Sequence, residues 1–242
     1  MTHFRSMVAV ITGGGSGIGR AIASHLWREG ATVCLIGRNR ERLETSITTD
    51  GGGRDRVHIY PLDITLDEEI TDLAQKLMGR HGRIDALVHS AGAFVYGEWE
   101  SLSTVDFDLL YKTNLRAPVL LTQALLPMLR TSRGQIVFIN SSAGRNPRAK
   151  VGAYSVTKHG LHAFADSLRE EVNPEGIRLI SVFPGRTATP MQELVCRLER
   201  SEYRPERFLS PEDVAAAVIN TIGMARTAEV TDLYIRSMAK PN

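Results

Sequence analysis

Tyr154 and Lys158 stand four residues apart, Ser141 and Ser142 lie shortly upstream, and Thr12-Gly13-Gly14-Gly15-Ser16-Gly17-Ile18-Gly19 lies near the start of the chain. A spacing of four is about one helical turn, so the phenol and the ammonium project from one face. An ammonium beside a phenol is a device for making an acid–base group that works near neutral pH. A free Tyr titrates near pH 10, and lowering it by about three units needs roughly 4 kcal/mol of preferential phenolate stabilisation. One ammonium across water supplies about 1 kcal/mol at contact distance. The pair therefore has to sit in a partly dry cleft with further positive charge nearby. The plainer alternative is an exposed i,i+4 contact on a helix surface.

The glycine-rich segment follows the apolar run Val8-Ala9-Val10-Ile11 and precedes an amphipathic stretch, the order a phosphate site requires. Glycine lets the backbone turn tightly and approach a phosphate, whose charge is met by N–H groups at a helix N-terminus. Gly13, Gly17 and Gly19 do not spell GxGxxG. Gly14–Gly19 nearly fits a P-loop, but Arg20 and Ala21 stand where Lys and Ser/Thr are required, so the magnesium ligand is missing. A plain turn is the alternative.

These groups need a scaffold, and the chain alternates short apolar runs with longer amphipathic segments. Strands are expected at Met7–Thr12, Thr32–Ile36, Val57–Tyr60, Ala86–Ser90, Gln135–Asn140, Arg178–Phe183 and Val230–Ile235. Helices are expected near Ile18–Glu29, Arg40–Ile47, Asp67–Arg80, Thr104–Arg130, Ala153–Glu171 and Pro211–Gly223, with Pro118 kinking the fourth. Gly30 follows the first helix as a C-cap would, and Ser210-Pro211-Glu212-Asp213 reads as a helix start. Strand–helix alternation implies an α/β fold: a doubly wound parallel sheet of about seven strands with helices on both faces. No repeat or linker divides the 242 residues, so one domain over 1–242 is expected.

Composition narrows the partners. Apolar residues make up 43% and charged residues 23%, ordinary for a globular protein, and the net charge of +2 with no basic block gives no sign of nucleic acid. Cys34 and Cys196 are far apart and lack CxxC spacing, so neither a disulfide framework nor a metal site is expected. No apolar run reaches membrane-spanning length, and the early first strand leaves no room for a signal peptide. A cytoplasmic protein without a membrane partner is the expectation.

Taken together, these motifs resemble the short-chain dehydrogenase/reductase family over nearly the whole chain. Thr12–Gly19 corresponds to its TGxxxGIG fingerprint and Tyr154-x-x-x-Lys158 to its YxxxK. Asn114 falls where the family has a catalytic Asn, Pro184-Gly185 follows the sixth strand as its PG motif does, and Asp63 matches an Asp that contacts adenine. The family's catalytic Ser precedes the Tyr by about thirteen residues, which favours Ser141, with Ser142 still open. His89-Ser90-Ala91-Gly92 departs from the family's NNAG, which puts in question the hydrogen bonds that hold the sheet there.

The resemblance implies a Rossmann-like fold, a nicotinamide cofactor and hydride transfer to a small carbonyl or from an alcohol. Tyr154 would be the proton donor, Ser141 would orient the oxygen, and Lys158 would depress the Tyr and hold the ribose. Asn114 would anchor a water linking Lys158 to solvent. Cofactor contacts are implied for Gly13, Gly15, Ser16, Gly17, Ile18 and Gly19 in the first turn, for Asp63 and Ile64, and for Ser90, Ala91 and Gly92. Tyr154, Lys158, Pro184, Gly185, Thr187 and Thr189 complete that set. At the end of the second strand, NAD-preferring members place an Asp; here Gly37 is followed by Arg38 and Asn39. A missing acid beside a guanidinium favours NADPH over NADH. A solvated Arg at a strand end is the alternative.

Phe94, Val95, Tyr96 and Trp99 could wall a pocket or belong to the core. Arg145, Arg148, Lys150 and Arg186 could meet an anionic substrate group, though a solvated charged loop is the blander account. The C-terminal region is similar to the 3-hydroxy acid (serine) dehydrogenase branch. Apolar residues on several faces of Thr104–Arg130, such as Leu120, Leu121, Leu125 and Leu126, together with the family's four-helix interface, imply a dimer or tetramer. A non-catalytic dinucleotide sensor on the same scaffold is the rival function, and it should have lost one of the four catalytic residues.

Overall fold

The computed structural model describes residues 4–47 and 53–239. Seven strands form one parallel sheet: β1 (Val8–Thr12), β2 (Thr32–Gly37), β3 (Val57–Pro61), β4 (Ala86–His89), β5 (Gln135–Ile139), β6 (Arg178–Pro184) and β7 (Asp232–Ile235). Their order is β3-β2-β1-β4-β5-β6-β7. The winding direction reverses between β1 and β4, where Thr12 lies beside Ile36 on one side and His89 on the other. In open α/β sheets the ligand crevice opens at that reversal, beyond the carboxyl ends of the strands.

The helices are α1 (Gly17–Arg28), α2 (Arg40–Glu44), α3 (Asp67–His81), α4 (Thr104–Tyr111), α5 (Ala117–Ser132), α6 (Gly152–Val172), α7 (Pro190–Leu198) and α8 (Pro211–Ile222). Side chains alternate across each strand, so Ala9 and Ile11 of β1 join one core while Val10 joins the other. The first core packs α1 and α8 through Ile22, Leu26, Val214 and Val218; the second packs α3, α5 and α6 through Leu73, Leu125, Leu129 and Leu161. Burial on both faces explains why the strands read as continuous apolar runs. Gly30 has a positive φ of 99°, which suits the residue after a helix, and Ser210 and Asp213 form a reciprocal capping box at the start of α8.

Three expectations are corrected. The Thr104–Arg130 helix is not one α-helix: a π turn over Lys112–Arg116 separates α4 from α5. Pro118 has no N–H to offer the Asn114 carbonyl one turn back, and the helix widens into the π turn just before it. Leu121 and Leu125 are buried in the second core and Leu120 and Leu126 pack against it, so none of them marks an outward apolar face. Along α4, α5 and α6 the exposed large apolar side chains are instead Val105 (76% exposed), Phe107, Leu109 and Tyr111 of α4 and Val156 of α6. Finally, α7 was not expected, although Thr189-Pro190 starts it and Met191, Leu194, Val195 and Leu198 have helical spacing. No helix among the described residues is long and apolar enough to cross a membrane, and both cysteines are free and buried.

Candidate active site

The crevice at the β1/β4 reversal is built from closely packed backbone. Gly13 has φ 67°, and a Cβ there would lie 2.9 Å from the Ala91 nitrogen; a Cβ on Gly19 would lie 2.6 Å from the Gly13 carbonyl oxygen. Thr12 ties the two turns together, because its Oγ1 accepts from the N–H groups of Ser90 (3.0 Å) and Ala91 (3.1 Å). His89 is buried below them with Nε2 2.8 Å from Thr122 Oγ1 and its ring stacked on Phe138. Thr12 and Thr122 thus anchor the strand end where the family more often has Asn.

The residues at the rim fit an anionic dinucleotide. Ser16, the residue before α1, makes no side-chain cap, and the first turn of α1 carries no acidic residue. The leading N–H groups of Gly17, Ile18 and Gly19 therefore face the crevice end of a helix dipole without a carboxylate competing for them. Gly15 lies against Arg42, with a would-be Cβ 3.4 Å from the Arg42 Cβ. Arg38 and Asn39 are exposed at the end of β2, and Asn39 Oδ1 caps α2 by accepting from the Arg42 N–H at 2.8 Å. Asp63 Oδ1 accepts from the backbone and hydroxyl of Thr65 at 2.9 and 2.8 Å, and Ile64 is buried beside it. Across the crevice, Thr187 Oγ1 donates to the Gly185 carbonyl at 3.0 Å, just past Pro184. Thr189 caps α7 and sets its methyl 3.0 Å from a Cβ built on Gly17. Met191 lies 3.6 Å from a Cβ built on Gly92.

The four groups singled out for chemistry come together at one mouth of this crevice. Tyr154 is buried in the first turn of α6 with Ser141 close enough to pull its phenol downward, while Ser142 next to Ser141 is exposed. Ser141 Oγ also accepts from the Ala143 N–H at 3.2 Å. Lys158 Nζ lies 5.8 Å from the Tyr154 ring centre and donates to the Ile139 carbonyl at 3.0 Å. Asn114 is fully buried in the π turn. Its Oδ1 accepts from the Ala93 N–H at 2.8 Å, and its Nδ2 donates to the Ala93 carbonyl at 3.0 Å and to Thr157 Oγ1 at 3.1 Å. One side chain thus joins the turn after β4 to α6.

Burial governs the electrostatics. It pushes the Tyr154 phenol up to about 12 against the opposing pull of Ser141, and it brings the Lys158 ammonium down to about 8. The strong phenol depression expected from the Tyr–Lys spacing is therefore not produced by the chain's own groups, because Lys158 spends a hydrogen bond on Ile139 and lies one ring away. The nearby cations are also engaged. Arg145 Nη1 lies 2.8 Å from His162 Nε2, Arg186 pairs with Glu199 at 2.6 Å, and Lys150 approaches Glu98 at 3.7 Å.

A family model for short chain dehydrogenases matches residues 7–198. The chain belongs to the short-chain dehydrogenase/reductase family. Within that family it is 31% identical over 237 residues to an uncharacterized oxidoreductase of Staphylococcus aureus, covering 98% of this chain and 99% of the relative. Among solved structures it is similar to an alcohol dehydrogenase from Thermococcus sibiricus complexed with 5-hydroxy-NADP (26% identity, 98% of both chains, TM-score 0.86). It is also similar to a metagenomic short-chain oxidoreductase in complex with NADP (30% identity, 98% and 100% coverage, TM-score 0.83). Serine dehydrogenase from Escherichia coli follows at 26% identity and a TM-score of 0.82, with 98% and 100% coverage. This short-chain dehydrogenase/reductase is thus an oxidoreductase by descent. The cluster includes further residues that no motif marks. Asn140 is one: its Nδ2 donates to the Lys158 carbonyl at 3.0 Å while its Oδ1 accepts from the Ser141 N–H at 2.9 Å. Its only sequence signal is its position between β5 and the serines.

Proposed function

We propose that this chain is an NADP(H)-dependent oxidoreductase that interconverts a small carbonyl compound and its alcohol, working as one dinucleotide-binding domain over residues 1–242 in the cytoplasm. The observation that carries the reading is a buried Tyr154 at the crevice mouth, with the Ser141 side chain acting on its phenol and the Lys158 ammonium 5.8 Å from its ring centre. Bound nicotinamide supplies the hydride chemistry that no side chain provides. The chain's part is to hold and move one proton.

Burial keeps Tyr154 protonated at neutral pH, the form that donates to a carbonyl oxygen as it gains charge. Ser141 is placed to donate to the same oxygen and orient it. Lys158 sits close enough to stabilise the phenolate left behind, and its ammonium is brought near neutral pH by the same burial. Asn114 holds the Ala93 turn and the Thr157 segment in register, which fixes the phenol relative to the crevice. For the cofactor, the uncapped start of α1 suits a pyrophosphate, and Gly37, Arg38 and Asn39 leave space and positive charge for a ribose 2′-phosphate. The NADP-bound relatives support the same preference.

Tyr154→Phe tests the assignment. It keeps the ring and removes the proton, so turnover should fall by at least about a hundredfold. NADPH affinity, measured by fluorescence titration, should stay unchanged, because the phosphate turn is untouched. A mutant that turns over like the wild type would remove Tyr154 from its role.

A further inference from the structure

Two observations around Tyr154 bear on what the enzyme reduces. The phenol sits in a small apolar cluster of its own, apart from the two main cores: Leu110, Ala153 and Tyr154 with Phe94, Val95 and Ala143 packed against them. Phe94 meets the Tyr154 ring edge-on at 5.1 Å. Trp99 is 59% exposed yet held in place. A Cβ built on Gly152, the first residue of α6, would lie 2.6–2.8 Å from three indole atoms, so the ring rests directly on that backbone. The loops on either side are pinned by the Gly97 N–H to Lys150 carbonyl bond at 2.8 Å and by the Glu98–Lys150 pair. The indole rests on α6 at Gly152, two residues before the proton donor, and leaves most of its face open to a ligand.

Three of the four cations that could have recognised an acid are engaged by other side chains. Arg145 is held by His162 and stacks over Phe183, Arg186 is held by Glu199, and Lys150 faces Glu98. The fourth, Arg148, is exposed, so its charge is spent largely on solvent. We infer that the substrate is a neutral, apolar ketone, aryl ketones foremost, whose organic group lies on Phe94 and Trp99 while its carbonyl meets Ser141 and Tyr154. The inference rests on the reading of Tyr154 as proton donor and excludes small 2-oxo and 3-oxo acids as preferred substrates.

Acetophenone, 4-acetylbenzoate and pyruvate form the test series. With NADPH, acetophenone should show a kcat/KM at least about tenfold above both acids. Trp99→Ala should raise its KM about tenfold with kcat nearly constant, since it removes binding shared by ground and transition states. Gly152→Ala should move KM the same way by displacing the indole. A readout free of turnover comes from a Trp27→Phe background, in which Trp99 is the sole indole: acetophenone should quench its fluorescence in the presence of NADP+, and pyruvate should not. A preference for either acid, an unchanged KM in Trp99→Ala, or the absence of quenching would overturn the inference. Quenching and a Trp99-dependent KM together with an active Tyr154→Phe would instead leave this surface standing and remove the proton-donor assignment.

Discussion

His89 makes the fold acid-sensitive, and the size of the effect follows from its surroundings. It is 3% exposed at the end of β4, stacked on Phe138 with ring centres 5.0 Å apart, and its Nε2 is 2.8 Å from Thr122 Oγ1. Burial, with a smaller contribution from the Lys158 ammonium, pushes the imidazole down to about 3. An unfolded His titrates near 6.5, so over the range from about pH 6.5 to pH 3 the unfolded chain carries a proton that the folded chain refuses. The contribution is fully present above the unfolded value and is lost as pH falls through it. At pH 5 the loss amounts to about 2 kcal/mol, approaching a slope of about 1.4 kcal/mol per pH unit on further acidification. His58 and His81 are also lowered by burial and act with the same sign, so the wild-type curve alone does not isolate His89. His89→Asn does. The variant incurs a packing cost that does not depend on pH, so the wild type's stability advantage should shrink by about 2 kcal/mol between about pH 8 and pH 5. Urea unfolding followed by circular dichroism at several pH values measures that difference. Parallel curves for the two proteins would refute the assignment of a buried neutral imidazole.

Three further outcomes are expected. Gly19→Ala forces a Cβ against the Gly13 carbonyl at 2.6 Å, where no flexible side chain can give way, so NADPH affinity by calorimetry should fall at least about tenfold; unchanged affinity would contradict the close packing of the turn. At Gly37 a Cβ meets only Leu43, at 3.4 Å, so Gly37→Asp with Arg38→Leu fits sterically and should shift preference toward NADH by at least about tenfold through repulsion of the 2′-phosphate. Equal affinity of the unmodified protein for both cofactors would sink that argument. The apolar side chains Val105, Phe107, Leu109 and Tyr111 exposed on α4 call for a covering subunit, so light scattering at micromolar concentration should give a dimer or tetramer and Leu109→Glu should weaken it; a strict monomer counts against it.

The features readable from the amino-acid order rest on short-range physics. Seven apolar runs, the glycines that permit a positive φ at Gly13 and Gly17, and the one-turn spacing of Tyr154 and Lys158 all depend on backbone sterics and periodicity within a few residues. The fold class was legible for that reason, and so was the clustering of the candidate residues at one end of the sheet. Helix α7 is written in Thr189-Pro190 and its apolar spacing, but a segment this short and amphipathic reads equally well as a loop. What only the tertiary structure decided concerns groups brought together from far along the chain. Ser141 rather than Ser142 turns toward Tyr154 because Asn140 clamps the strand end to α6. The π turn places Asn114 between Ala93 and Thr157, and the partners of Arg145, Arg186 and Lys150 come from separate segments. The sign of the Tyr154 shift belongs here too. Spacing put an ammonium near the phenol, but desolvation depends on everything packed around it, and in a crevice walled by Phe94, Ala143 and Ala153 it outweighs one lysine already bonded to Ile139.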